Sequence, residues 1–576
     1  MMPELTFPKF VAAFLTAVYF YYPESTKPSL ISDTPQYALK TRYDFVIVGG
    51  GSAGCVLAHR LTENPNWNVL LIEAGGDGNA LTDAPRFHSL IRNTQFDWNY
   101  TTVKQEKACL KNNGICPYPR GKVLGGCSST NAMLYVRGNK ADYDDWATKG
   151  NYGWSYKDVL PYFIKAENNT EPSLADSTFH GVAGPLNVQF PRFVTDLREM
   201  FINAAEEYGW QRGDYNGERQ DVVGYVQSTI DGPSREDTAK AYLNPIKNRK
   251  NLFVIKNTLV TKILIENKVA KGVHYYRDGK SYRVFAKKEV ILSAGAINTP
   301  KLLMLSGIGP KDELERHSIK VIEDLSVGKN LQDHLQLQMF FEIDGNGLND
   351  WKTEKNINLY AKERTGPLTT PATEAMVFLN TENNTSQQPD LQFTWISGVL
   401  PNTLYDQNRN IITVILVNVK PKSVGRVRLG SANSEDMPLV DPNYFSEGGD
   451  FSVYRKGIDH LLEYMKTPTM SKLSPKLCTD LYPKCKGMDQ NNFIKCIINF
   501  YSETIYHPVG TAKMGGEEDP GAVVNADLQV HGVRNLRVID ASIMPSIPGG
   551  NTNAPTIMIA EKGSDIIKRF YKLQKF

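Results

Sequence analysis

Gly49, Gly51 and Gly54 stand in the spacing G-x-G-x-x-G, and Glu73 follows 19 residues after the third glycine (73 − 54). Those residue types in that order suit an adenine dinucleotide. The first glycine permits a tight turn and the second lets backbone approach a pyrophosphate. The third lets a helix sit close to a sheet. Ser52 opens that helix, whose unpaired N–H groups and positive dipole end attract the diphosphate. Glu73 accepts hydrogen bonds from ribose hydroxyls, and its charge argues against the 2′-phosphate of NADP. On this stretch FAD and NAD both remain open.

The elements that must position these residues are written around them. Phe45–Val48 is a short apolar run of strand length. Val56, Leu57, Ala58 and Leu61 read as the packed side of a helix, and Val69–Ile72 as a second buried strand that ends at Glu73. Strand, glycine turn, helix, strand and acid thus fall in register as one βαβ unit. Further on, Gly125 and Gly126 precede Cys127, Ser128, Ser129 and Asn131. A glycine pair with small residues after it lets backbone lie against a flat or charged ligand, with Asn131 offering amide contacts. A tight loop feeding a core helix reads equally well from the same residues.

Beyond these motifs, the totals bound the answer. At 576 residues the chain needs two or more cores. With 41% hydrophobic and 22% charged residues it has the composition of a soluble globular protein. Its net charge of +3 is spread without a basic block, which argues against a nucleic-acid partner. Lys9 precedes the 13-residue apolar run Phe10–Tyr22. That run is too short to cross a bilayer and suits the apolar core of a signal peptide over residues 1–25, although no A-x-A cleavage site is visible. A secreted protein is therefore expected, with an uncleaved anchor or a disordered tail as the alternative, and no stable membrane insertion.

Seven cysteines fit an oxidising compartment. Cys109 and Cys116 bracket a turn-rich loop suited to a local disulfide. Cys478, Cys485 and Cys496 can supply one more, while Cys55 and Cys127 read as buried thiols. None of the spacings matches a zinc site, and no metal is expected. Asn168, Asn383 and Asn384 head glycosylation sequons in polar stretches; Asn99 heads another, in an aromatic setting that predicts burial.

Between Leu335 and Ile498 the texture changes to short alternating segments, such as Gln336–Ile343, Asp390–Trp395 and Ile411–Lys420, which predict an antiparallel sheet. Phe393, Trp395 and Tyr405 divide between core and a substrate pocket. Tyr156–Ala166, Phe193–Tyr208 and Val453–Met465 have helical apolar spacing.

Several runs together resemble one family. Gly121-Lys-Val-Leu-Gly-Gly-Cys-Ser-Ser-Thr-Asn131-Ala-Met-Leu-Tyr-Val-Arg-Gly138 is similar to the first signature of the GMC (glucose–methanol–choline) flavoprotein oxidoreductases. Gly295-Ala-Ile-Asn-Thr-Pro300 through Pro310 is similar to the second. Val327-Gly-Lys-Asn-Leu-Gln-Asp-His334 and the segments around His507 and Asn551 also resemble that family, closest to its insect glucose-dehydrogenase-like branch. The resemblance spans about Arg42 to Ile567. It implies FAD rather than NAD, and an α/β plus α+β fold. A doubly wound, Rossmann-like FAD domain would comprise 42–160, 225–335 and 505–570. A discontinuous substrate domain on an antiparallel sheet would comprise 161–224 and 336–504.

The resemblance also implies site roles. The pyrophosphate and ribose contacts fall on Gly49, Gly51, Ser52, Gly54 and Glu73, and the flavin-side loop on Gly125, Gly126, Ser128 and Asn131. Backbone at Val260 would meet the adenine, and Asp540 and Ala541 would approach the cofactor. Covalently flavinylated relatives carry a histidine where this chain has Thr130, which implies non-covalent FAD. His507 is one of nine histidines and by type alone an ordinary structural one; the resemblance places it on the catalytic histidine. Asn551, 44 residues later (551 − 507), falls where members carry histidine or asparagine.

The chemistry implied is oxidation of an alcohol to aldehyde, ketone or lactone. Its hydroxyl proton goes to His507, with Asn551 orienting the oxygen, and its hydride goes to flavin N5. Candidate substrates are glucose, an ecdysteroid or an aromatic alcohol, with a quinone or oxygen as acceptor. A flavin-binding protein without turnover, or a lyase or decarboxylase on the same fold, is the alternative.

Overall fold

The computed structural model describes residues 7–23, 31–345, 347–348, 351–382, 388–399 and 409–573. Asn383, Asn384 and Tyr405 lie outside the described residues. Two seven-stranded sheets organise the chain.

The first sheet runs in the order Leu252–Ile255, Val69–Ile72, Arg42–Val48, Lys280–Leu292, Val269–Arg277, Leu259–Glu266. Arg42–Val48 pairs in parallel with Val69–Ile72 on one side and with the second half of Lys280–Leu292 on the other. Leu536–Val538 adds a parallel strand there. Six of the seven residues of Arg42–Val48 are buried, as expected of a parallel strand covered on both faces. The helix Ser52–Leu61 packs on this sheet through Gly54, where a Cβ would come to 1.9 Å from the Gly49 carbonyl oxygen. Only glycine admits that approach. The C-terminal helix Asn553–Leu573 covers the same region. Arg60 donates two hydrogen bonds to the fully buried Glu561, at 2.7 and 2.8 Å, and fastens the two helices together.

The second sheet is antiparallel: Lys476–Leu477, Leu335–Glu342, Ile411–Asn418, Leu391–Ile396, Thr373–Leu379, Val223–Tyr225. Period-two alternation sorts its faces. Along Leu391–Ile396, Phe393 and Trp395 turn to a core with Phe201, Trp210 and Tyr464. Thr394 and Ile396 turn the other way, onto a cavity between the two sheets. Phe393 and Trp395 are therefore core residues and not pocket residues, because the strand's alternation sends both to the helix-covered face.

The helix Tyr156–Ala166 starts and ends where its apolar spacing predicts. The apolar N-terminal run forms the helix Phe7–Tyr21, whose Phe10 and Phe14 are buried against Phe87, Trp351 and Tyr360. Cys109 and Cys116 form a disulfide, as do Cys485 and Cys496, which leaves Cys478 a buried thiol. Cys55 is buried; Cys127 is only half-buried and lines the cavity. Asn99, expected to be buried, is exposed: its positive φ of 58° turns it outward while Trp98 and Tyr100 stack beside it. Asn168 lies in a short parallel strand rather than a loop, with its amide donating to Asn187 at 2.7 Å. Among the described residues no helix is long and apolar enough to cross a membrane.

Candidate active site

A large cavity runs from the glycine turn of the first sheet to the inner face of the second, and is lined by residues from both. Gly49, Gly51, Ser52 and Glu73 line one part of it, with Val260, Asp540 and Ala541. Gly126 and Asn131 line it from the loop 125–131, and His507 and Asn551 from the chain's C-terminal segments. Eleven of the fourteen residues singled out from the sequence thus meet in one space. The other three lie just behind its wall. Gly54 seats the helix. Gly125 turns the loop at φ 91°, and its N–H donates to the Gly50 carbonyl at 2.7 Å. Ser128 is buried, its hydroxyl donating to the Gly125 carbonyl at 2.6 Å.

The end of the cavity at the glycine turn is shaped for backbone contact. A Cβ on Gly51 would meet nothing nearer than Gly126 Cα at 3.7 Å, and one on Gly295 would meet nothing within 4 Å. Both glycines, each at a helix start, leave open backbone facing the cavity. Glu73 is buried and accepts from the Gly50 and Gly75 amides at 2.8 and 2.7 Å. Burial pushes its pKa up to about 7, with those amides pulling the other way. Asp540 ties the Gly295 amide and the Thr299 hydroxyl to the Ser542 turn, so the two segments reach the cavity as one unit. Asn131 does not offer its oxygen to the cavity; it accepts from the Met133 amide and from Arg235.

The opposite end is built by strand register. Leu335 pairs with Thr504, and an isolated bridge joins Gln332 to Val509. Two antiparallel segments in that register bring His334 opposite His507. The extra residues are absorbed at Tyr506, whose φ of 71° is unusual for a non-glycine residue. The two imidazoles meet Nδ1 to Nδ1 at 3.0 Å. On its other side, His507 Nε2 lies 3.1 Å from the Asn551 side-chain nitrogen. The His507 backbone amide donates to Asp333 at 2.8 Å. Asp333 is buried and also accepts from the hydroxyls of Tyr118 and Thr504, at 2.8 and 2.7 Å.

Hydrogen-bond chemistry assigns the protons. The Asn551 amide nitrogen can only donate, so His507 Nε2 carries a lone pair and Nδ1 carries the hydrogen. Nδ1–H then donates to the lone pair of His334 Nδ1. Desolvation, with His334 and then Arg120 adding to it, holds the His507 pKa well below the usual imidazole range. Burial lowers that of His334 to about 3. Both rings are neutral at physiological pH, and the lone pair on the cavity side belongs to His507 Nε2, where the Asn551 amide donates to it.

Neither His334 nor Asp333 was assigned a part from the sequence. His334 sits in the Val327–His334 run that carried the resemblance, but its contact with His507 depends on register across 173 residues. Arg92 and Arg120 were likewise unforeseen. Arg92 donates to the Tyr506 hydroxyl at 2.8 Å, and Arg120 to the Tyr506 carbonyl at 2.7 Å.

Profiles described as GMC oxidoreductase match residues 43–336 and 421–560. The chain belongs to the GMC oxidoreductase family. A glucose dehydrogenase [FAD, quinone] of Drosophila melanogaster is 38% identical over 547 residues, covering 92% of this chain and 87% of that one. The mitochondrial choline dehydrogenase of Homo sapiens is 37% identical over 557 residues, covering 92% and 90%. Among solved structures, pyridoxine 4-oxidase from Mesorbium loti superposes with a TM-score of 0.81 at 28% identity, over 92% of this chain and 99% of that one. This GMC oxidoreductase is an FAD-dependent enzyme that acts on CH–OH donors. Its fold is the mixed α/β arrangement of a Rossmann-like FAD domain and a substrate domain.

Proposed function

We propose that this enzyme oxidises an alcohol to an aldehyde, ketone or lactone with His507 as general base and Asn551 as the orienting donor. The observation that carries the reading is the neutral His507 Nε2, 3.1 Å from Asn551 and open to the cavity. Bound FAD supplies the hydride acceptor. An alcohol oxygen that draws the Asn551 amide hydrogen bond away from Nε2 would accept from that amide and donate its own proton to Nε2. Loss of that proton raises the electron density on the carbinol oxygen, which is what lets the C–H bond release hydride. His334 then accepts the hydrogen bond from Nδ1–H throughout and keeps Nε2 as the basic nitrogen.

For the cofactor, backbone at Gly51 and Ser52 and the open face of Gly295 would lie against the diphosphate, Gly49 makes the turn beneath them, and Glu73 would hold the ribose. Val260 would border the adenine. Thr130 lines the cavity with no nucleophilic nitrogen to bond the flavin, which supports non-covalent FAD. Two disulfides support secretion. A quinone or oxygen is the acceptor that fits a flavin enzyme of this family.

Anaerobic titration of the yellow holoenzyme with alcohols tests the reading. Stoichiometric bleaching of the flavin, with carbonyl product, is expected. Turnover of a substrate without net flavin reduction would indicate a lyase instead, and no response to any alcohol would indicate a flavin-binding protein.

A further inference from the structure

We propose that the substrate is an alcohol with an apolar body that carries no positive charge, and that quaternary ammonium alcohols and sugars are discriminated against. This rests on the alcohol oxidation proposed above. It follows from what the cavity offers beyond the reacting groups. The second sheet contributes Gln336, Thr373, Thr394, Ile396 and Ile415 to the wall, none of them ionisable. Ile396 and Ile415 belong to one apolar cluster with Leu134, and Ile505 packs against it two residues from His507. The polar groups on this second-sheet face are few and partly committed: Thr394 accepts from Gln392 at 3.0 Å, and the Gln336 amide donates to the Thr504 carbonyl at 3.2 Å.

A sugar brings several hydroxyls into this space. Each one buried without a partner costs on the order of ten- to a hundredfold in binding. On the second-sheet wall only two threonines and one glutamine oxygen are there to serve them.

A cation meets the wrong charge. The Arg92 guanidinium lies 4.4 Å from the centre of the Tyr506 ring, next to the base, and so occupies a ring face that a trimethylammonium would otherwise use. Arg120 approaches the same residue's carbonyl. Among the described residues neither arginine has a carboxylate within ion-pair distance. The carboxyl nearest Arg92 in charge effect, Glu503, does not line the cavity, and burial raises its pKa. Asp97 does line the cavity, but its carboxylate accepts from the amides of Asn93, Asn99 and Arg120. Glu73 and Asp540 are held by backbone amides at the dinucleotide end.

The test uses the FAD-bound enzyme under anaerobic conditions, with the series ethanol to 1-hexanol, benzyl alcohol, choline and glucose. If the wall is apolar, the second-order rate constant of flavin reduction rises about fourfold per added methylene. Benzyl alcohol and 1-hexanol should then exceed choline and glucose by about a hundredfold or more. Ile505→Ala should flatten the chain-length slope while leaving the flavin spectrum unchanged. Ile415→Asp should weaken hexanol selectively; the milder Ile505→Ala keeps the test valid if that variant does not fold. Reduction by choline or glucose faster than by hexanol would overturn the proposed class while leaving alcohol oxidation standing. Absence of reduction by every alcohol would instead overturn the reading on which it rests.

Discussion

Replacing His334 by leucine isolates the hydrogen bond that sets the His507 tautomer. His334 has a pKa near 3, so it is uncharged at working pH and the substitution removes no charge. It removes the acceptor 3.0 Å from His507 Nδ1. A buried N–H left without a partner costs about 1–3 kcal/mol. That cost falls only on the tautomer with its hydrogen on Nδ1, the one whose Nε2 lone pair can take a proton from substrate. The competing tautomer gains by the same amount, and it has no basic nitrogen facing the alcohol. The rate constant of flavin reduction should therefore fall about 5- to 160-fold. FAD retention and the substrate dissociation constant should change little, because His334 does not line the cavity. His334→Gln, whose amide oxygen can accept from Nδ1–H, should recover much of the loss. The assay is anaerobic stopped-flow at varied alcohol concentration, which separates the rate constant from binding. A leucine variant as fast as the parent would refute the tautomer argument. Leucine and glutamine variants equally slow would reduce His334 to a packing role.

Two further outcomes follow from the same geometry. The His507 pKa is lowered, so the neutral, basic form persists as pH falls; flavin reduction should change less than twofold between pH 8 and 5.5, with bound FAD checked by its spectrum. An ordinary imidazole with a pKa of about 6.5 would instead lose about elevenfold over that range, and an acidic limb of that size would contradict the assigned environment. The two glycines of the turn should behave differently. Gly51→Val points into the cavity and should abolish FAD retention in a protein that still folds, whereas Gly54→Ala drives a Cβ to within 1.9 Å of a backbone carbonyl oxygen and should lower the melting temperature of the apoprotein itself. A purified yellow Gly51→Val variant would count against the dinucleotide site.

The parts of the fold that were legible are those written in local sequence. The βαβ unit was readable because buried parallel strands are continuous apolar runs and the glycine turn needs glycine. Glu73 was readable because it ends such a strand. The Tyr156–Ala166 helix was readable from spacing alone. What stayed hidden was set by tertiary register. Alternation along Leu391–Ile396 shows two faces but does not say which one meets a cavity, so Phe393 and Trp395 were left divided between core and pocket. His334 is distant from His507 in sequence and becomes its partner only through the pairing of Gln332 with Val509. Asn99 is exposed because a left-handed residue turns it away from the aromatic pair beside it, and aromatic neighbours in sequence carry no such information. His507 itself was distinguishable from the other histidines only through the family resemblance, since a lone histidine has no local signature of catalysis.

The reaction proposed for this enzyme turns on His507 removing the substrate proton. Its most direct test is anaerobic mixing of FAD-loaded His507→Ala with an alcohol that bleaches the parent enzyme. A positioned base contributes about 10²–10⁴ to such a step. Flavin reduction slowed by that factor, in a variant that keeps its FAD and its visible spectrum, is the predicted result. Reduction at the parental rate would remove His507 from the chemistry and contradict the account.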